Sequence, residues 1–197
     1  MLSALVSSVI ALVLGSLSAL FGGWVDRFVS YLVDLCMGVP HLILLILISI
    51  AMGGGAAGVI TGVAVTHWPN LTRLIRAEVL QIRSAQYVLI SRKMGKGALY
   101  IAVHHMLPHV FPQYVVGLIL LFPHAILHEA GITFLGYGLP LDVPAMGVIL
   151  AESMKFLSSG LWWLAFFPGL ALLLTTQLFD RVGDYLKMMI DPAESRL

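Results

Sequence analysis

Charge is what this chain has least of. Of its 197 residues, 11% are Asp, Glu, Lys or Arg and 59% are hydrophobic, against about 25% charged in an ordinary soluble domain. Such a deficit excludes a surface solvated all round by water. The net charge of +1 leaves no electrostatic footprint for a nucleic-acid partner. A single cysteine, Cys36, excludes an internal disulfide and a cysteine-built metal cage; its plain reading is an apolar filler. The chain also lacks the phosphate-binding pattern G-x-x-x-x-G-K-[ST]. Its nearest stretch, Met94-Gly95-Lys96-Gly97, fails the pattern, so ATP is not expected to bind here. No basic residue precedes the first apolar run, and the run is too long for a signal-peptide core, so it reads as a spanning helix.

What is present is a series of apolar runs near 20 residues long, the length at which a helix crosses a bilayer core of roughly 30 Å. Five are visible. The first covers residues 1–22, and Asp26 and Arg27 mark a polar turn after it. The second covers 28–52, with a kink expected at Pro40. Gly53, Gly54 and Gly55 form a glycine turn, and a third run, 56–68, continues as a polar helix past Arg83. The fourth covers 110–134. A Gly- and Pro-rich loop, 136–144, and an amphipathic piece, 146–158, lead to the fifth, 161–179, with a polar tail after it. The expected fold is therefore an all-α polytopic bundle forming a single domain over residues 1–197.

Orientation follows from the basic residues. Six of the eleven lie between positions 73 and 96 (Arg73, Arg76, Arg83, Arg92, Lys93, Lys96), and the tail adds Arg181, Lys187 and Arg196. The positive-inside rule places both regions in the cytoplasm. Five spans then put the C-terminus and Arg27 inside, and the N-terminus and the 136–159 loop, with Lys155 as its one basic residue, outside.

Between the third and fourth runs lies the longest polar stretch. Residues 84–94 make a short amphipathic helix, with Tyr87, Val88, Ile90 and Met94 apolar and Arg92 and Lys93 charged; Gly95 and Gly97 break it, and a second helix starts near Ala98. Such an element can lie in a groove on a cytoplasmic partner or rest on lipid headgroups; periodicity leaves both open. The residues Tyr87-Val88-Leu89-Ile90-Ser91-Arg92-Lys93-Met94-Gly95, followed by His105-Met106-Leu107-Pro108-His109, resemble the coupling loop of binding-protein-dependent ABC importer permeases. Tyr87, Val88, Arg92, Gly95, His105, Leu107 and Pro108 match that family's pattern; residues 89–91 depart from its small residues and His109 from its asparagine. Further stretches resemble its dipeptide, oligopeptide and nickel branch: Gly22-Gly23 with Asp26, then Asp34 and Pro40; Ala130 with Phe134-Leu135-Gly136 and Gly138; Phe167-Pro168-Gly169; and Val182-Gly183-Asp184 through Asp191-Pro192.

The resemblance implies an inner-membrane permease subunit of a bacterial cell. Its residues 84–109 would be gripped by one of two cytoplasmic ATPases. A homologous permease would supply the other half of the path, and an extracellular or periplasmic solute-binding protein would deliver nickel, a metal chelate or a peptide. It also implies a six-span subunit whose first span lies upstream of this sequence. No enzymatic activity and no resident cofactor are expected. Two other classes remain to be weighed. A membrane-embedded enzyme needs a nucleophile–base pair or a complete metal set, and Ser158 and Ser159 have no histidine near them in sequence. A passive channel needs no cytoplasmic lever.

Seven histidines are many for so apolar a chain. His104, His105 and His109 sit beside the loop as interfacial residues; a membrane di-iron enzyme would need several such clusters together with carboxylates, and only this one is present. His124 and His128 share one face of the fourth run, with Glu129 adjoining. Ionisable groups inside a span face a bundle interior or a water-filled path. The three are therefore candidates for the translocation path, with His124 and His128 as transient metal contacts; neutral histidines hydrogen-bonded between helices are the alternative. Thr66-His67-Trp68 and Leu127-His128 look closer to nickel permeases. His67 and His41 by themselves read as interfacial or packing residues. Gly15, Gly22, Gly23, Gly62 and Gly117 permit close helix approach, Pro112 and Pro123 bracket the fourth run, and Pro168 interrupts the fifth.

Overall fold

The computed structural model describes residues 2–190; Asp191, Pro192 and Arg196, which entered the sequence reading, lie outside the described residues. The described chain is helical throughout, with no strand. In order the helices are α1 (Leu2–Phe21), α2 (Gly23–Gly38), α3 (His41–Ala51), α4 (Gly55–Thr66), α5 (Trp68–Arg83), α6 (Gln86–Lys93) and α7 (Ala98–Ile101). A π-helical turn (Ala102–Met106) follows, then α8 (Leu107–Phe134), α9 (Met146–Ser153), a 3-10 stretch (Met154–Ser159) and α10 (Trp163–Ile190).

The core begins with a seam of small residues. α1 buries Ser7, Ser8, Ala11, Gly15, Ser18 and Ala19 on one face, and this face lies along α5. In lipid no hydrophobic effect drives helices together, so close backbone approach has to do it. A Cβ at Gly15 would lie 2.9 Å from the Thr72 carbonyl oxygen and 3.0 Å from the Ile75 Cβ, so no larger residue fits. Ile75, Val79 and Ile82 of α5 are buried against this seam, with Val29 and Val33 of α2 joining them. Gly22 and Gly23 do not serve close approach. Their φ angles are 62° and 51°, and they form the left-handed turn that swings α2 away from α1.

That turn is fixed by charge. The Asp26 carboxylate accepts from Arg76 Nε at 2.5 Å and Arg76 Nη2 at 2.6 Å, and from Ser18 Oγ at 2.5 Å. One carboxylate thus joins α1, α2 and α5. Arg83 donates to the Ala19 carbonyl at 2.9 Å one step further along. The Arg73–Asp34 pair, 2.6 Å long, is much more exposed.

Fewer continuous spans form than the sequence suggests. Among the described residues, three helical segments are long and apolar enough to cross a membrane: Leu2–Phe21, Ala98–Phe134 and Trp163–Met189. The expected second span is broken at Val39 and Pro40 into α2 and α3, which meet at 94° and count as a fourth only if taken together. The physical reason is Pro40, which cannot donate to the ladder and forces the residue before it into extended backbone; Val39 has φ −98° and ψ 136°. The expected third span, 56–68, forms as α4, 12 residues long, and a break at His67 separates it from the polar helix α5 that was expected to continue it.

The proline expectations also change. Pro112 and Pro123 lie inside α8, and Pro168 lies inside an unbroken α10. Pro168 frees the Leu164 carbonyl, and Ser153 Oγ lies 2.7 Å from that oxygen and 2.6 Å from the Ile149 oxygen, sharing its proton between them. A hydroxyl from α9 thus satisfies the group that proline leaves open, as proline in a membrane helix requires. Most of α10 faces outward, with Leu173, Leu174 and Leu178 exposed, a surface suited to lipid or another chain.

Candidate functional site

Two regions carry candidate chemistry. The first is α6 and its surroundings. α5 ends at Arg83, Ser84 Oγ caps the corner by donating to the Gln81 carbonyl at 2.7 Å, and α6 runs across the end of the bundle. Of its apolar residues Val88 alone is fully buried, at 0% exposure, packing into the cluster that holds Ile82, Ile101 and Met106. Tyr87, Leu89, Ile90 and Met94 are exposed, Met94 at 74%. Arg92 and Lys93 are exposed beside them. The outer surface of α6 is therefore apolar with a basic fringe, held by one buried anchor.

The helix ends in a Schellman motif. Gly95 N–H donates to Arg92 O at 3.0 Å and Lys96 N–H to Ser91 O at 3.2 Å, with Gly95 at φ 82°. This pattern closes orphan carbonyls at a helix end and requires the left-handed region, which suits glycine. The return strap then packs on α6 through rings. His105 Nε2 lies 3.2 Å from Ser91 Oγ, and its ring meets Tyr87 edge-on at 5.7 Å. His104 stacks on Tyr100 at 4.1 Å, and Lys96 Nζ sits 4.6 Å from the Tyr100 ring centre. His104 and His105 both belong to the π-helical turn. Leu107 and Pro108 open α8, Pro108 at a position where its missing N–H is not needed. So the structure brings Tyr87, Val88, Gly95 and His105 into one unit, with Arg92 on its outer face. Ser91 and Tyr100 complete it and were not among the sequence candidates.

The second region is a cavity of about 650 Å³ between the α2–α3 break, the α4–α5 junction and α8. His41, His67, His124 and His128 line it, with Cys36 and Asn70. The rings of His41, His67 and His128 pack within 4.4 to 4.9 Å of one another, centre to centre. Sequence spacing joined His124 and His128. It did not join His41 and His67, which read as packing residues, because their meeting depends on two helix breaks. The rule that ionisable groups inside spans gather, applied to all four histidines, is the signal that would have found them.

Glu129 does not join this group. Thr133 Oγ1 donates to Glu129 Oε1 at 2.9 Å and accepts the Leu139 N–H at 3.0 Å. The carboxylate thus organises the loop after α8. That loop is pinned further by Ser49 Oγ donating to Tyr137 O at 2.8 Å and Gly55 N–H to Gly138 O at 3.1 Å. His109, at the start of α8, is exposed and away from the cavity.

Comparison with known proteins places this architecture. The family model described as "Binding-protein-dependent transport system inner membrane component" matches residues 11–190. The dipeptide transport system permease protein DppC of Bacillus subtilis is 31% identical over 97% of this chain and 60% of its own length. A putative peptide permease protein of Brucella ovis is 37% identical over 96% of this chain and 63% of its own length. The chain thus spans about three fifths of the length of these curated relatives. A crystal structure of the MetNI methionine ABC transporter in an inward-facing conformation matches with a TM-score of 0.74 at 19% identity, over 96% of this chain and 90% of that one, a likeness of fold. With a family match over nearly its whole length, an all-helical apolar bundle and no phosphate-binding loop, this chain belongs to the family of binding-protein-dependent transport system inner membrane components.

Proposed function

We propose that the chain is the membrane-embedded permease subunit of an ABC importer, and that residues 84–109 are the joint on which a separate ATPase pushes. The observation that carries this is the build of α6: one buried anchor, Val88 at 0%, beneath an exposed apolar and basic surface. A helix evolved only to pack against its own bundle would bury its apolar residues. One that meets a groove on a partner presents them, with anchors three or four positions apart, as Tyr87, Ile90 and Met94 are. The resting-on-headgroups reading is less well supported, because the ring contacts of Tyr87 and His105 and the Schellman stop give α6 a fixed shape that lipid does not need. In this reading a homologous permease completes the path, two ATPases bind on the cytoplasmic side, a solute-binding protein docks on the other, and the C-terminus lies in the cytoplasm. The two relatives named above carry dipeptide and peptide in their names, which supports a peptide cargo; the histidine-lined cavity supports a metal or metal-chelate cargo.

The test is association. Tyr87→Asp places a charge on the exposed face and removes the ring from His105, while Val88 keeps its place. The variant is expected to lose the co-purifying ATPase while its thermal unfolding in detergent shifts little. Met94→Cys in a Cys36→Ser background reads the side: a membrane-impermeant maleimide should label it only from the cytoplasm. Undiminished ATPase recovery with Tyr87→Asp, or labelling of Met94→Cys from outside, overturns the proposal.

A further inference from the structure

The three clustered histidines of the cavity have a feature that packing alone does not account for. His67 Nδ1 lies 3.0 Å from the Val63 carbonyl oxygen, so Nδ1 carries the proton and donates, and Nε2 is left with a bare lone pair. A backbone carbonyl holding the far nitrogen is the usual way an imidazole is set up as a metal ligand. His67 Nε2 is buried and has no hydrogen-bond partner, and the same is true of His41 Nε2. Two orphaned imidazole nitrogens side by side inside a membrane protein are costly unless something occupies the space between them. One ligand nitrogen from each of His41, His67 and His128 falls within 4.8 Å of the other two. Nitrogens bound at about 2.1 Å around one ion stand roughly 3.4 Å apart, a closure that small ring rotations supply.

We propose that His41, His67 and His128 form a three-imidazole site for a divalent transition-metal ion that enters bound to a small anionic chelator. Imidazole nitrogen selects zinc, copper, cobalt and nickel over magnesium and calcium. The chelator follows from charge. The three ligands are neutral, and among the described residues no Asp or Glu lines the cavity; the adjacent Glu129 is turned to Thr133. A bare divalent ion in a span would be uncompensated, so the compensating anion travels with the metal. The space agrees: about 650 Å³ is far more than one ion fills and lies in the usual range for small-molecule sites, about 300–1,000 Å³. His124, one turn before His128, and Asn70 line the same cavity and are placed to meet the chelator. The site stands on its own geometry and uses no part of the α6 reading.

The experiment loads the untagged protein in detergent with Co²⁺ and with Co²⁺–citrate, and reads bound cobalt, bound radiolabelled citrate and the cobalt visible spectrum. One cobalt per chain is expected, with one citrate retained beside it. His41→Gln and His128→Gln should each weaken cobalt binding at least about tenfold, whereas His104→Gln and His109→Gln, outside the cavity, should leave it unchanged. X-ray absorption at the cobalt edge of the unaltered protein should count three imidazoles, a readout that does not depend on any variant folding. Cobalt bound with fewer than three imidazoles, or bound equally well by the His41→Gln and His128→Gln variants, overturns the site. Cobalt retained without citrate overturns the chelator. Either failure leaves ATPase recovery through Tyr87 untouched, so the two proposals fail separately.

Discussion

Replacing Gly95 by valine tests the coupling element at its most constrained backbone position. Gly95 has φ 82°, where a residue bearing a Cβ costs about 1–2 kcal/mol, more when the Cβ is branched. Nothing lies within 4 Å of a Cβ built there, so the penalty is purely conformational, with no clash to confuse it. A penalty of that size shifts the population of the Schellman stop by a factor of about 5–30. The helix it terminates has only eight residues and no stability of its own to resist. Once the stop is lost, Lys96 leaves its place over Tyr100, the Tyr100–His104 stack is disturbed and α6 changes its angle. ATP-driven uptake by the reconstituted complex should fall by a similar factor, while the detergent-solubilised subunit unfolds within a degree or two of the unaltered one. Asparagine tolerates the left-handed region, so Gly95→Asn should recover most of the uptake. Unchanged uptake with Gly95→Val, or equal damage from Asn and Val, would refute the reasoning.

Two further predictions concern the scaffold. Asp26→Asn removes a half-buried bidentate acceptor from Arg76 and Ser18, which should cost about 2 kcal/mol of stability; Asp34→Asn, at a pair whose side chains are 52% and 67% exposed, should cost well under 1 kcal/mol. Thermal unfolding of both variants in one detergent gives the comparison, and equal shifts would contradict the assigned role of Asp26. Gly15→Ala sets a Cβ 2.9 Å from the Thr72 oxygen and should destabilise by about 1–3 kcal/mol, whereas Gly131→Ala in α8, with nothing within 4 Å, should be neutral or slightly stabilising; the same unfolding measurement checks both.

What was legible in the sequence follows the range of the interaction. The first, fourth and fifth apolar runs and the glycine after α6 are local, and each appeared where expected. Val88 and Gly95 were named from the pattern of a single segment, and the structure gives each a physical reason. Asp26 and Arg76 were visible as separate residues, yet their pairing spans 50 positions, and nothing in either neighbourhood announces it. The break at Pro40 splits one expected span because backbone geometry there overrides apolar composition, and the break at His67 falls where the third run was expected to pass into its polar continuation. Those breaks are also what bring His41 and His67 to His128. Glu129 was misplaced for the complementary reason. Adjacency to His128 in sequence puts it about 100° around the helix, where Thr133, four residues on, claims it.

The arrangement of the two regions carries a mechanical consequence. α5 begins beside His67 and ends at Arg83, three residues before α6, so it links the cavity to α6 over 16 residues, about 24 Å. Its buried face is locked to α1 by the small-residue seam and by Arg76, Asp26 and Arg83, so in the proposed reading a push on α6 would be passed to both helices. His41 and His128 stand on other elements, α3 and α8. The three imidazoles therefore meet only while the α4–α5 junction keeps its present position against α3 and α8. A shift of 1–2 Å, ordinary for packed helices changing state, carries a nitrogen out of bonding range of a shared ion, whose bonds are only about 2.1 Å long. If both proposals hold, a site assembled from three elements, one of them joined through α5 to α6, would bind in one state and release in the other, which a site built on a single helix cannot do.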